Sequence, residues 1–146
     1  MPTLSGSDVT NVPVGNATGT RFSGVYVADS SVIAGCSCRS GSCSKVHGDR
    51  GETFTLTEMD GALSVLEHGT FNDTVYGGGI DKEGRFRVGG SFVSGKLMGY
   101  SLLSGTVLAG ASIDAESQNT LVGPIDGDDY DCDVAAALRL SYLKPR

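Results

Sequence analysis

The chain has 146 residues, a formal net charge of −6, 22 glycines, four cysteines and no tryptophan. That length suits one domain, which buries roughly 68–70% of its unfolded surface and has room for a proper core. No run approaches the roughly 18–20 consecutive apolar residues of a membrane span, and the eleven basic residues are scattered through an acidic chain, so neither a membrane span nor a nucleic-acid partner is expected.

Residues 1–19 are Ser, Thr, Gly, Asn and Pro with isolated Val9, Val12 and Val14. We read them as a flexible arm or linker ahead of a single domain spanning 20–146. Met1–Gly19 has no basic start and no apolar h-region of a signal peptide; with the cysteines, the expectation is an exported protein whose leader was removed ahead of Met1.

Ordered structure is expected from Thr20–Ala28, where Phe22, Gly24 and Tyr26 alternate with Ser23, Val25 and Val27. Ser30–Arg50 reads as a long loop or irregular strand pair. Thr53–Glu58 and Ala62–Glu67 flank Asp60-Gly61, a two-residue hairpin signal because both positions accept positive φ. Thr70–Ile80 follows, and its Gly77-Gly78-Gly79 reads as a bend or bulge. After a turn at Asp81–Gly84 come Arg85–Phe92, Lys96–Leu103, Gly105–Ile113 and Thr120–Val122, then a loop at Gly123–Asp129.

The clearest pattern lies in Tyr130–Tyr142. Tyr130, Cys132, Val134, Ala136, Leu138, Leu140 and Tyr142 fall on one side of a period of two; Asp131, Asp133, Ala135, Ala137, Arg139 and Ser141 fall on the other. At roughly 3.3 Å per residue such a strand is about 40 Å long, a length that suits the seam of a closed sheet. The fold expected is therefore all-β: an antiparallel up-and-down meander closed into an eight- or nine-stranded barrel, with a flexible N-terminal arm. Phe22, Tyr26, Phe54, Leu56, Phe86, Val88, Val134, Leu138 and Leu140 are placed inward.

Phe22-Ser23-Gly24-Val25-Tyr26 resembles the F-x-G-x-W opening of the lipocalin and avidin-type barrels, the calycins. The resemblance implies that the aromatic closes the barrel floor with a basic residue packed across it. Arg139 in the last strand is the candidate for that cation–π partner. Tyrosine stands where those families have tryptophan, so an avidin-like aromatic biotin box is not expected.

Cys36, Cys38, Cys43 and His47 fall as C-x-C-x4-C-x3-H, which lacks the C-x-x-C knuckle of common zinc sites. With Cys132 included, two disulfides in an oxidising compartment are expected. A Cys36–Cys38 bond would close a very small strained ring. The other two pairings both tie Cys132 to the 36–43 loop, and Cys38–Cys43 with Cys36–Cys132 is preferred here. No metal centre is expected. Asp126, Asp128 and Asp129 are the candidates for Ca²⁺ among a cluster of aspartates, but they lack the order of a calcium loop and read better as a solvated acidic rim.

Catalytic patterns are missing: no G-x-S-x-G elbow, Walker loop or dinucleotide fingerprint occurs. The function expected is a non-enzymatic, cofactor-free, exported binding barrel for a small apolar ligand. Its interior would use Phe22, Tyr26, Phe54, Phe86 and Leu138, at an extracellular, periplasmic or cell-surface location. One alternative is a structural subunit of a surface assembly, a homo-oligomer built by β-strand addition of residues 1–19. Another is a protease-inhibitor-like barrel whose arm enters a protein partner's cleft.

Overall fold

The computed structural model describes residues 3–69, 72–108 and 112–146. Eight strands lie side by side in chain order: β1 (Gly24–Ser40), β2 (Thr53–Met59), β3 (Ala62–His68), β4 (Asp73–Ile80), β5 (Arg85–Ser94), β6 (Leu97–Leu108), β7 (Ser112–Ile125) and β8 (Asp128–Lys144). Every neighbouring pair is antiparallel, and β1 pairs with β8 to close the barrel. Residues 70–71 and 109–111, at the expected strands Thr70–Ile80 and Gly105–Ile113, lie outside the described residues.

The turns follow the residue chemistry. Asp60 and Gly61 take φ of 49° and 87° and join Met59 to its partner Ala62, the backbone that Asp-Gly accepts most readily. Asp126 and Gly127, at 50° and 85°, do the same between Ile125 and Asp128. The expected loop Gly123–Asp129 is thus a tight hairpin inside a continuous ladder.

Strand β1 is also longer than expected. It runs into the region read as a long loop or irregular strand pair and stays paired with β8 as far as Ser40, by way of register shifts at Ala28/Ser30, Ile33/Gly35 and Cys38/Ser40. Each shift adds a residue to one strand and bends it, which erases the period of two that identifies a strand in sequence. The partner strand β8 keeps its period and reaches 17 residues.

We call the end carrying Gly24 and the Asp60-Gly61 turn the lower end. Tyr26, Phe54, Leu56, Leu63, Val65, Ile80, Phe86, Val88, Leu103, Ile113, Leu138 and Leu140 form one buried apolar cluster inside the barrel. Val134 belongs instead to a second cluster towards the upper end, with Tyr130, Cys132, Ile33 and Val46. Phe22 precedes β1 and packs half-buried against the core. Glu58 locks the lower end: its Oε1 accepts from Phe22 N at 3.0 Å, and its own N donates to Ser23 Oγ at 2.9 Å.

Residues 3–19, read from sequence as a flexible arm, are laid across the outer wall of the barrel. Leu4 N donates to Thr120 Oγ1 at 2.8 Å, a short helix α1 (Gly6–Thr10) follows, and Leu4 and Val9 bury against Leu102. Farther on, Gly15 N donates to Gly61 O at 2.9 Å and Ala17 N to Ile80 O at 3.1 Å. This contact is so close that it depends on glycine: a Cβ at Gly89 would stand 2.3 Å from Val9 O, and one at Gly79 2.3 Å from Gly15 N. Gly79, the last of the three glycines read as a bend, and Gly89 thus form a track for a second backbone, another reason for glycine within a strand.

Candidate functional site

The upper interior is polar. On β3 the alternation that sends Leu63 and Val65 inward sends Glu67 inward as well, and Glu67 is buried. Beside it, Tyr76 of β4 donates its hydroxyl to Glu67 Oε1 at 2.5 Å. Asp49 and Glu52 come from the segment between the 3₁₀ turn (Cys43–Lys45) and β2. That segment folds back over the barrel because Asp49 N donates to Ser31 Oγ at 2.9 Å, Gly51 N to Ala28 O at 2.8 Å, and Ala28 N to Glu52 O at 2.9 Å. Carboxylate oxygens of Asp49, Glu52 and Glu67 consequently lie within 4.8 Å of one another.

Three carboxyl groups this close cannot all be ionised away from water, since burial and like charge both favour the protonated form. Burial, reinforced by the charge of Glu67, pushes Asp49 up to about 7. Burial, the hydrogen bond with Glu52 and the charge of Glu52 push Glu67 up to about 8, against the opposing bond from Tyr76. The Tyr76 phenol is raised too, first by burial and then by the charge of Glu67.

The network continues along the inner wall. Tyr76 hydrogen-bonds Ser101 of β6, Ser101 Oγ donates to Asn119 Oδ1 at 2.6 Å, and Asn119 Nδ2 donates to Ser117 Oγ at 3.2 Å on β7. Such an arrangement favours protonated carboxyl groups. It also presents oxygen acceptors to a cationic or hydrogen-bond-donating group.

Above this network two disulfides staple the upper end, Cys36–Cys43 and Cys38–Cys132. The preferred pairing, Cys38–Cys43 with Cys36–Cys132, is corrected, although the same four cysteines are used. The reason is register: Cys38 stands directly opposite Cys132 in the β1–β8 ladder, whereas Cys36 faces Val134. Closing 94 residues of separation constrains the unfolded chain by about 4–5 kcal/mol in the loop-entropy account.

The other expected site residues are distributed differently. Tyr26, Phe54, Phe86 and Leu138 are buried members of the one apolar core cluster, with Phe22 at its edge, and Phe54 stands directly opposite Glu67 in the β2–β3 ladder. Asp126, Asp128 and Asp129 are exposed about the last hairpin, where Lys45 Nζ pairs with Asp128 at 2.8 Å; among the described residues the carboxylates that converge are Asp49, Glu52 and Glu67. Asp133, on the outer side of the period of β8, is nevertheless 1% exposed. It is covered by the arm and takes hydrogen bonds from Thr3 at 2.9 Å, Thr120 at 2.7 Å and Arg39 at 2.6 Å. Arg139 does not reach the floor: with Leu138 and Leu140 inward it points out and pairs with Asp114 at 2.7 Å. The cation over an aromatic is Arg21, 4.5 Å from the Phe22 ring centre, and Tyr26 meets Tyr142 edge to face at 5.6 Å.

The carboxyl site was missed from sequence, though half of its signal was present. A glutamate at an inward position of an otherwise clean alternation, as at Glu67, marks a buried acid. Nothing local marks Asp49. No family model, curated protein or solved structure matches the chain. The architecture established here is a closed, eight-stranded antiparallel barrel, consistent with the small calycin-like shape that residues 22–26 resemble.

Proposed function

We propose that this chain is a non-enzymatic binding barrel of an oxidising, extracytoplasmic compartment, and that its ligand seat is the polar upper interior. The observation that carries this reading is the meeting of half-buried Asp49 and Glu52 with buried Glu67 and Tyr76. Buried polar groups cost stability unless something satisfies them, so a network this extensive is a feature kept for use. The apolar positions Phe22, Tyr26, Phe54, Phe86 and Leu138 belong to the apolar core cluster, and side chains can fill an eight-stranded barrel interior, which favours the polar end as the seat. The ligand chemistry that fits the upper end is a small molecule bearing an amine, whose positive charge replaces the protons held there.

Strand addition and an inhibitor-like insertion by residues 1–19 both need residues 3–19 to leave the wall, and would first expose Leu4 and Val9. The disulfides support the oxidising location.

Isothermal calorimetry with a homologous series of primary amines and diamines, at pH 6 and pH 8.5, tests the seat. The expected result is saturable binding with proton release, read from the buffer dependence of the heat, and at least a tenfold loss in Glu67→Gln. No binding across the series at either pH, or equal binding by Glu67→Gln, would overturn it.

A further inference from the structure

The sulfur atoms at the upper end stand in an arrangement that the disulfides alone do not require. Cys36 Sγ lies 3.8 Å from Cys38 Sγ, and Cys38 Sγ lies 3.3 Å from Cys43 Sγ. All three sit within 4.8 Å of one another, and Cys132 Sγ is bonded to Cys38. Zinc–thiolate bonds of about 2.3 Å in a tetrahedron set the sulfurs about 3.8 Å apart. The contacts between the two bridges are already near that spacing.

We propose that the reduced chain carries a thiolate metal site, in which Cys36, Cys38 and Cys43, with Cys132 as fourth ligand, hold one soft metal ion such as Zn²⁺. The C-x-C spacing, awkward in a turn, is natural here because residues two apart on a strand share a face. Cys36 and Cys38 lie on β1, Cys132 faces Cys38 from β8, and Cys43 arrives on the short 3₁₀ turn. Strand pairing continues on both sides of these residues, at Gly35↔Ala135 and at Ser40↔Asp131. Two elements therefore keep three of the ligands in place when the bridges open, and the turn lets Cys43 adjust.

Access fits the same sequence of events. Cys36, Cys38 and Cys43 are half-buried, while Cys132 is fully buried, so a reductant meets the sulfurs of the first three. Each disulfide takes two electrons and two protons from a dithiol, which is itself oxidised to a disulfide. Each thiol that then binds the metal releases its proton. Soft sulfur ligands select Zn²⁺ or Cu⁺ over hard ions, which separates this site from the carboxylate seat below it.

The test uses the full chain reduced with a water-soluble phosphine, each bridge consuming one phosphine and one water to give two thiols and a phosphine oxide. Zn²⁺ is titrated against a chromogenic chelator, Co²⁺ is added in parallel for its sulfur charge-transfer absorption, and far-UV circular dichroism follows the sheet. The expected result is one equivalent of Zn²⁺ bound by a β-rich chain, at least 100-fold tighter than by the oxidised chain. Reduced Cys43→Ser should bind at least tenfold more weakly. Zinc binding no tighter in the reduced chain than in the oxidised chain or in reduced Cys43→Ser overturns the proposal. So does uptake seen only after the β signal is lost.

Discussion

Glu67 shows how one residue can be readable and still be underestimated. Its inward direction follows from the period shared with Leu63 and Val65, while its company, Asp49 and Glu52, comes from a segment with no periodic signal. Its folded pKa is pushed up to about 8, above an unfolded value of about 4.3. The native state therefore binds more protons than the unfolded state between those values, and stability falls as pH rises through that window. Chemical denaturation of Glu67→Gln is expected to show a flatter decline from pH 5 to pH 8.5 than the parent, with the variant gaining relative to it at the alkaline end. Asp133 has the opposite sign. Burial alone would raise its carboxyl, but hydrogen bonds from Arg39, Thr120 and Thr3 prevail and hold it below the ordinary value. Its contribution is present above the unfolded pKa and is lost as pH falls through the lower folded one. Asp133→Asn is expected to cost about 1–3 kcal/mol at pH 7, since charged hydrogen bonds are lost and Arg39 is half-exposed, and the difference should shrink in acid. Arg139 gives the converse lesson. The alternation of β8 already turned it outward, and the family resemblance argued against that pattern and lost.

At the scale of elements, legibility followed regularity. β8, β2 and β3 and the Asp60-Gly61 turn were visible because alternation and turn chemistry agree there. The second half of β1 was not, because three register shifts break its period. The disulfide pairing was hidden for the same reason: it depends on the β1–β8 register, which the cysteine spacing does not contain. The path of residues 3–19 along the wall was not legible because a glycine in a strand has several meanings, and only its partner decides among them. Gly89→Ala tests the track. Its Cβ would collide with Val9 O, so the arm should lift, at a cost of about 1–3 kcal/mol. Limited proteolysis is expected to cut within residues 3–19 faster in the variant while the barrel core survives. Equal cleavage of variant and parent would mean that the arm does not depend on this contact.

For the whole molecule, the order of the strands lays out the candidate seat. β3 and β4 supply Glu67 and Tyr76, β6 and β7 supply Ser101, Asn119 and Ser117, and these follow one another along the inner face of the closed sheet. The segment carrying Asp49 and Glu52 is held above them by its bonds to Ala28 and Ser31. The lower half of the barrel is packed with apolar side chains and supplies rigidity. Chemistry is thus concentrated at one end, where a staple, a folded-back segment and a proton-holding network coincide. The most direct measurement of this account is a carbon-13 NMR titration of the Asp49, Glu52 and Glu67 carboxyl groups in the free protein. It predicts that at least one of the three titrates near pH 7 to 8; all three titrating near the ordinary value of about 4 would contradict it.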